Sequence, residues 1–390
     1  MRMKNTALLT GPYDWDPALV PLAEFDARLT AVRRVLAEFG ATALLVHGQS
    51  IDHGALAYLT GFVPKLGPAF AFVPQDGPIR ILVSGGQGMI SSAKLLTWVE
   101  DVRPLANLQT TLNVWLGEMH DDGRAVLGLW GGNIMAQRPY VAVVAAIQPF
   151  GKMIVMDDQL DALRRRKSAR EMELLRESCR ILAVTYGAFE RATVEGSGAR
   201  SAGLAAERAA FSNGAQDVRI LASARDGGPP LPFDGPGDIR VAPLLACLAV
   251  RFAGYWAEGL VTVAAPPSGA RARAEAALTA MLREVRPGAT SGDLINAVAQ
   301  ILPPYKFHPL VQSAIGNGIG LSFEESPILG RDEKSTFEEG GVYTLRCGAM
   351  GEGSDNAVVS AMVAVNGSEI DVLWAATEHS SRLKNAKGPR

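Results

Sequence analysis

Residues 315–327 read Ile-Gly-Asn-Gly-Ile-Gly-Leu-Ser-Phe-Glu-Glu-Ser-Pro. Gly316, Gly318 and Gly320 alternate around Asn317, and two adjacent carboxylates, Glu324 and Glu325, follow just before Pro327. A turn needs one or two glycines. Alternation at this density instead lets a second strand or a ligand lie close against the backbone.

This stretch resembles the Gly-His-Gly-Ile-Gly-Leu…His-Glu-x-Pro segment of the creatinase/aminopeptidase P/prolidase family, the pita-bread enzymes. In that family the first His binds a metal and the second contacts substrate; the matching positions here are Asn317 and Glu324. The resemblance therefore implies a kept scaffold with changed chemistry.

Three further stretches carry the same likeness. Ala57-Tyr58-Leu59-Thr60-Gly61-Phe62 resembles the Tyr-Leu-Thr-Gly-Phe signature of the family's amino-terminal domain. Leu163 to Glu171, with Lys167-Ser168, resembles the R-x-x-Lys-Ser-x-x-Glu start of its carboxy-terminal domain. Val285-Arg-Pro-Gly-Ala-Thr-Ser precedes a helix in the expected order.

Hydrophobic patterning supports two α/β regions. From Leu22 to Phe39 apolar residues recur at three and four, predicting an amphipathic helix closed by Gly40. Ala43–Val46 reads as a short buried strand, and Ala69–Val73 and Ile79–Val83 as strands across a Gln75-Asp76-Gly77 turn. Ser168 with Glu171 forms a capping box at the head of a long helix. A second helix is expected near Leu204–Phe211 and a strand at Val218–Ala222. Leu244–Phe252 and Tyr255–Val263 predict a hairpin around Ala253-Gly254. Taken with the family resemblance, these patterns imply an α/β (α+β) fold: a creatinase/prolidase-like α/β domain over residues 1–160, a pita-bread domain with a curved antiparallel sheet over 161–380, and a disordered tail over 381–390. Residues 1–20, with turn signals at Gly11-Pro12 and Asp16-Pro17, read as an irregular arm.

Composition narrows the class of function. The chain has 390 residues, is 48% hydrophobic and 20% charged, and carries a net charge of −2. That balance offers nothing to attract nucleic acid or an anionic membrane. Cys179, Cys247 and Cys347 form neither pairs nor a CxxC, which suits a reducing compartment. With no signal-peptide pattern at the start and no apolar run long enough to span a bilayer, the expected location is cytoplasmic. Three local features read as structural: the Gly85-Gly86-Gln87-Gly88 cluster as a strand-to-helix turn, the Arg164–Lys167 basic run as a solvated helix start, and His47 and His53 as loop or edge histidines without chemistry.

Members of the family with metal use two Asp, one His and two Glu around two divalent ions, and the resemblance carries those positions over one by one. The two Asp fall on Cys247 and Glu258, eleven residues apart on the hairpin and read as roughly opposite each other. The His falls on Asn317. The fourth ligand, in a strand usually reading Thr-Ile-Glu-Pro-Gly, falls on Arg346 within Thr344-Leu-Arg-Cys-Gly348. The fifth lies between Ser354 and Val358, with Asp355 and Val358 as alternatives. The His that creatinase uses as base falls near Leu231, where no His stands, and Arg225 and Asp226 are read as the candidates there. No His is assigned to the pocket, since His308 lies nine residues before Asn317.

A cation at a ligand position opposes metal: unit like charges about 4 Å apart repel by roughly 4 kcal/mol at an effective dielectric of 20. The expectation is therefore no cofactor and no dinuclear metal, with a single ion on Glu258, Glu324 and Asp355 as a minor alternative. The polar set is read as a reworked pocket for a small anionic molecule. Glu258 or Glu324 serves as general base, Arg346 and Asn317 as substrate or oxyanion contacts, and Cys247, Asp355 and Trp256 as further lining. Cys247 itself is read as inert. The implied function is a metal-independent, creatinase-like hydrolase or lyase cleaving a C–N or similar bond; the alternative is a pseudo-peptidase, its pocket plugged by salt bridges, that binds a partner. The resemblance also implies a homodimer.

Overall fold

A computed structural model describes residues 15–119, 124–223, 228–233, 237–240, 242–264, 268–303, 306–330, 334–353, 355–367 and 369–376. The expectations for Gly11-Pro12, for Arg225 and Asp226, and for the tail 381–390 lie outside the described residues. The chain divides into two units at Arg164/Arg165.

The first unit is built on a six-stranded mixed sheet in the order β4-β3-β2-β1-β5-β6. Its strands are β1 (Ala43–Gly48), β2 (Ala69–Pro74), β3 (Arg80–Val83), β4 (Asp101–Pro104), β5 (Ala125–Trp130) and β6 (Gly151–Val155). The expected first helix is present as Leu22–Glu38 and stops where Gly40 takes φ +65°. The Tyr-Leu-Thr-Gly-Phe signature forms the end of helix Gly54–Thr60, which Gly61 terminates in the left-handed conformation. The glycine cluster after β3 is a turn into short helical segments at Gln87–Met89 and Ile90–Ala93. The two histidines depart from expectation. His47 sits on central strand β1 and His53 heads the next helix, and both are 2% exposed. The His47 ring stacks obliquely on Phe70 and meets the Gly131 carbonyl at 3.2 Å, so it is a core residue.

The second unit pairs helices with two antiparallel sheets. The four-stranded sheet runs β10-β9-β7-β8, from β7 (Asp217–Ser223), β8 (Pro230–Leu231), β9 (Leu244–Phe252) and β10 (Tyr255–Val263). The five-stranded sheet runs β12-β11-β13-β14-β15, from β11 (Ala314–Gly318), β12 (Glu325–Gly330), β13 (Val342–Met350), β14 (Asn356–Asn366) and β15 (Glu369–Ala375). The β9–β10 hairpin turns through Ala253 (φ 46°) and Gly254 (φ 88°), two consecutive positive φ values that suit the right-handed twist of the flanking strands. Side chains rather than a backbone ladder tie the sheets: Leu260 N donates to Ser360 Oγ at 2.8 Å, Ser360 Oγ donates to Leu260 O at 3.1 Å, and Val358 N donates to Thr262 Oγ1 at 2.8 Å.

Alternation assigns the faces. The odd-numbered residues of β10 turn to helix Ala169–Val194, whose Glu171 Oε1 accepts from the Tyr255 hydroxyl at 3.1 Å. That helix begins at the expected box, Ser168 accepting from Glu171 N while Glu171 accepts from Ser168 N. The odd-numbered residues of β13 and β14, among them Leu345, Cys347, Val359 and Ala361, form one core with helices Gly269–Glu284 and Ser291–Ala299. The even-numbered faces of β10, β13 and β14 are left to one another, and they carry the polar residues.

Candidate functional site

The glycine stretch serves close approach. None of Gly316, Gly318 and Gly320 has a positive φ. A Cβ on Gly316 would lie 2.1 Å from Thr344 O on β13, and one on Gly318 would lie 2.9 Å from Ser326 O on β12. A Cβ on Gly320 would lie 2.9 Å from both Glu325 Oε1 and Lys167 Nζ. The stretch is thus pressed between two strands and an ion pair. That pair, Lys167 Nζ to Glu325 Oε2 at 2.6 Å, is closed, its side chains 2% and 5% exposed. Glu325 Oε1 also accepts from Ser322 N at 3.1 Å, which fixes the loop after β11. Of the two adjacent carboxylates, Glu325 is therefore the buried one. Glu324 is exposed and forms no ion pair among the described residues, so the structure does not join it to Arg346 or Glu258.

The hairpin register pairs Cys247 with Leu260 and Glu258 with Ala249. Cys247 and Glu258 therefore share a face as diagonal neighbours rather than as the opposite pair expected from sequence. The same face carries Trp256, Arg251, Asp217 and Arg219, through the pairings Trp256–Arg251, Arg251–Asp217 and Ala249–Arg219. Arg219 and Arg251 lie 4.6 and 5.0 Å from the Trp256 ring centre, and Phe323 meets that ring edge-on at 5.8 Å.

Opposite this wall, Asn317 pairs with Thr344 across β11 and β13 and shares its face with Arg346. The Arg346 guanidinium crosses to Glu258, Nη2 donating to Oε1. This ion pair is the centre of the site. Glu258 is 4% exposed and Arg346 is 14% exposed at the side chain. On the hairpin face, Arg219 and Arg251 also meet Asp217, at 3.7 and 3.2 Å, so Glu258 is the carboxylate that pairs across to Arg346.

The remaining positions sort as follows. The Cys247 thiol is pushed up to about 12, first by burial and then by the charge of Glu258, with Arg346 partly offsetting both. It is a neutral thiol at neutral pH. Asp355 is not brought to the pair. Its Oδ2 accepts from Ala270 N at 3.1 Å, at the head of helix Gly269–Glu284. It precedes β14, whereas Arg346 lies opposite Ser360. Val358, the other alternative for the fifth position, shares the face with Arg346 and packs with Leu245, Leu260 and Val311 against Cys247. Leu231 is half exposed on β8.

Sequence reasoning left out His308. A Cβ on Gly348 would point to the face of Arg346, and it would lie 2.6 Å from His308 Cβ. His308 Nδ1 accepts from Leu310 N at 3.3 Å, which leaves the proton of the neutral ring on Nε2. Burial holds this imidazole below its ordinary value of 6.5. Only the packing of Gly348 reveals this placement; no spacing in the sequence signals it.

Two antiparallel sheets turn polar faces to one another, with helices behind each. The chain belongs to metallopeptidase family M24, whose model matches residues 173–367. A prolidase from Thermococcus sibiricus is similar with a TM-score of 0.72 at 17% identity, over 90% of this chain and 97% of that one. Dipeptidase PepE from Mycobacterium ulcerans gives 0.71 at 17% identity, over 93% and 97%. The N-terminal domain of the FACT complex subunit SPT16 from chickpea gives 0.65 at 15% identity, over 90% and 96%. At these identities the likeness is one of fold. No curated protein matches the chain.

The residues at the positions matched to metal ligands do not fit a pair of divalent ions. They are a neutral thiol, a carboxylate already bound by a guanidinium, an amide, that guanidinium itself, and Val358 or the helix-capping Asp355. Among the described residues no group of three or more His, Cys, Asp or Glu is placed to hold a metal. Hard divalent ions need several oxygen donors together.

Proposed function

We propose that the protein is a metal-independent hydrolase or lyase that cleaves a C–N or similar bond in a small anionic molecule. The observation that carries this reading is the Arg346–Glu258 pair at positions where the family resemblance puts metal ligands. Among the described residues, the pair uses one donor of Arg346 and one oxygen of Glu258. Glu258 Oε2 remains to take a proton, and the other guanidinium N–H groups remain to hold an anionic group of the substrate. Arg346 thereby orients the base and the substrate at once, while neutral His308 offers an N–H donor beside the same strand. Glu324, proposed from sequence as an alternative base, would have to act from an exposed position; Glu258 is the stronger assignment. Activity is carried in the cytoplasm by a homodimer in this reading, and no helix among the described residues is long and apolar enough to cross a membrane.

The test is turnover of a panel of small N-acylated acids, followed by release of free amine. Glu258→Gln and Arg346→Ala should each abolish turnover while circular dichroism stays unchanged. Full activity in either variant removes that residue from the mechanism. A second reading has its own support. Trp256 is 1% exposed and closed by Phe323, as expected of a salt-bridged plug, and the SPT16 domain is a similar fold in a complex subunit. A pseudo-peptidase would turn over nothing in the panel, and its Arg346→Ala variant would keep partner binding.

A further inference from the structure

Two buried polar atoms beside the ion pair lack partners. Asn317 turns Nδ2 to the carbonyls of Gly318 at 2.7 Å and Phe323 at 3.4 Å, which leaves Oδ1 facing no donor. The reverse orientation would set the amide oxygen against two carbonyl oxygens, so the neighbours fix the assignment. Directly across the β11–β13 pairing, Thr344 Oγ1 is also unpartnered. The two residues are 1% and 0% exposed. Isolated orphans of this kind are uncommon in folded proteins. Here two occupy facing positions, on the face that carries Arg346.

We propose that Asn317, Thr344 and Arg346 form a two-point subsite for a small acid that bears an amide or amine N–H close to its carboxylate. The proposal rests on the reading of Arg346 as an anion contact and adds the substrate class. The carboxylate takes the free N–H groups of Arg346. The ligand's N–H donates to Asn317 Oδ1, and the Thr344 hydroxyl supplies a second polar contact. Thr344 and Arg346 are two residues apart on an extended strand, about 7 Å. That short spacing on one face favours a ligand whose carboxylate and nitrogen are close neighbours in its own covalent chain. An amide nitrogen within a prolyl ring has no hydrogen to donate, so the subsite selects secondary amides over prolyl ones. Both orphan atoms are closed to solvent, and ligand entry shifts the loop 319–324, whose Phe323 carbonyl makes the long bond to Asn317.

Titration calorimetry on the full chain tests this with three probes. N-acetylglycine has both groups, O-acetylglycolate replaces the N–H with an ester oxygen, and N-acetylglycinamide lacks the carboxylate. The wild-type protein should bind N-acetylglycine about tenfold or more tightly than O-acetylglycolate, the loss expected when a buried acceptor stays unpaired. Thr344→Val should weaken N-acetylglycine about tenfold, yet raise the melting temperature by about 2 °C because it removes an unpaired hydroxyl. A Thr344 that is only structural would move the melting temperature and leave the amide-to-ester ratio alone. Equal binding of amide and ester, or N-acetylglycine affinity unchanged in Thr344→Val, overturns the subsite while acids still require Arg346. Failure of both acids to bind, or binding that survives loss of the carboxylate or of Arg346, overturns the anion-contact reading as well.

Discussion

Two buried ion pairs stand within the same unit, and they differ in how completely their partners are used. In Lys167–Glu325 both side chains are sealed, and the second carboxylate oxygen is taken by Ser322 N. Gly320 leaves no room for a side chain beside it. In Arg346–Glu258 the Arg346 side chain is 14% exposed and keeps most of its donors, and one carboxylate oxygen is free of protein partners among the described residues. The first arrangement fixes a loop. The second holds charges in place with valence to spare, as a binding or proton-transferring site requires.

The largest expected contrast is in turnover. Glu258→Gln should lower it by about 10²–10⁴-fold, the usual worth of a positioned base, measured as amine release from N-acylated acids, whereas Lys167→Arg should retain most of it. If the two variants fall equally, the distinction between the pairs is lost.

Stability should reverse the order. Lys167→Met leaves Glu325 buried without a counter-charge, and urea unfolding should show a loss of about 3–5 kcal/mol. Arg346→Ala should lose less, about 1–3 kcal/mol, because water can enter the opening and solvate Glu258. A greater loss in Arg346→Ala would make that pair the structural one.

Smaller effects concern protons. The Cys247 thiol, pushed up to about 12, should resist iodoacetamide at pH 8 in the native protein and react on unfolding. Rapid native labelling of Cys247, mapped by mass spectrometry, would contradict its neutral state. His47 and His308 are both held below their ordinary value of 6.5, chiefly by burial. Between that value and the lower folded one, the folded state binds fewer protons than the unfolded state. Their contribution to stability is therefore complete above 6.5 and is lost as pH falls through the folded values. NMR titration of the ring protons should give midpoints below 6.5 for both.

Much of the scaffold was legible because it is written in local patterns. The β9–β10 hairpin, its Ala253-Gly254 turn and the Ser168–Glu171 box each depend on residues near one another in the chain. The site was legible only in part. Cys247, Glu258, Asn317 and Arg346 could be placed by motif, and the structure collects them on facing strands. Which of Glu324 and Glu325 is buried depends on Lys167, far earlier in the chain. Asp355 reads from sequence as a pocket residue because no local pattern reveals that it meets a helix end at Ala270. His308 and the orphan hydroxyl of Thr344 emerge only from packing.

If a guanidinium–carboxylate pair does here the work that divalent ions do in a metallopeptidase, as proposed above, the chain needs no metal. The most direct test is the metal content of the purified chain, measured by inductively coupled plasma mass spectrometry after incubation with excess Mn²⁺, Zn²⁺ or Co²⁺ and desalting. Far less than one ion per chain should remain, the same in wild type and Glu258→Gln, with turnover indifferent to chelator. One or two ions per chain, lost in Glu258→Gln, would contradict it.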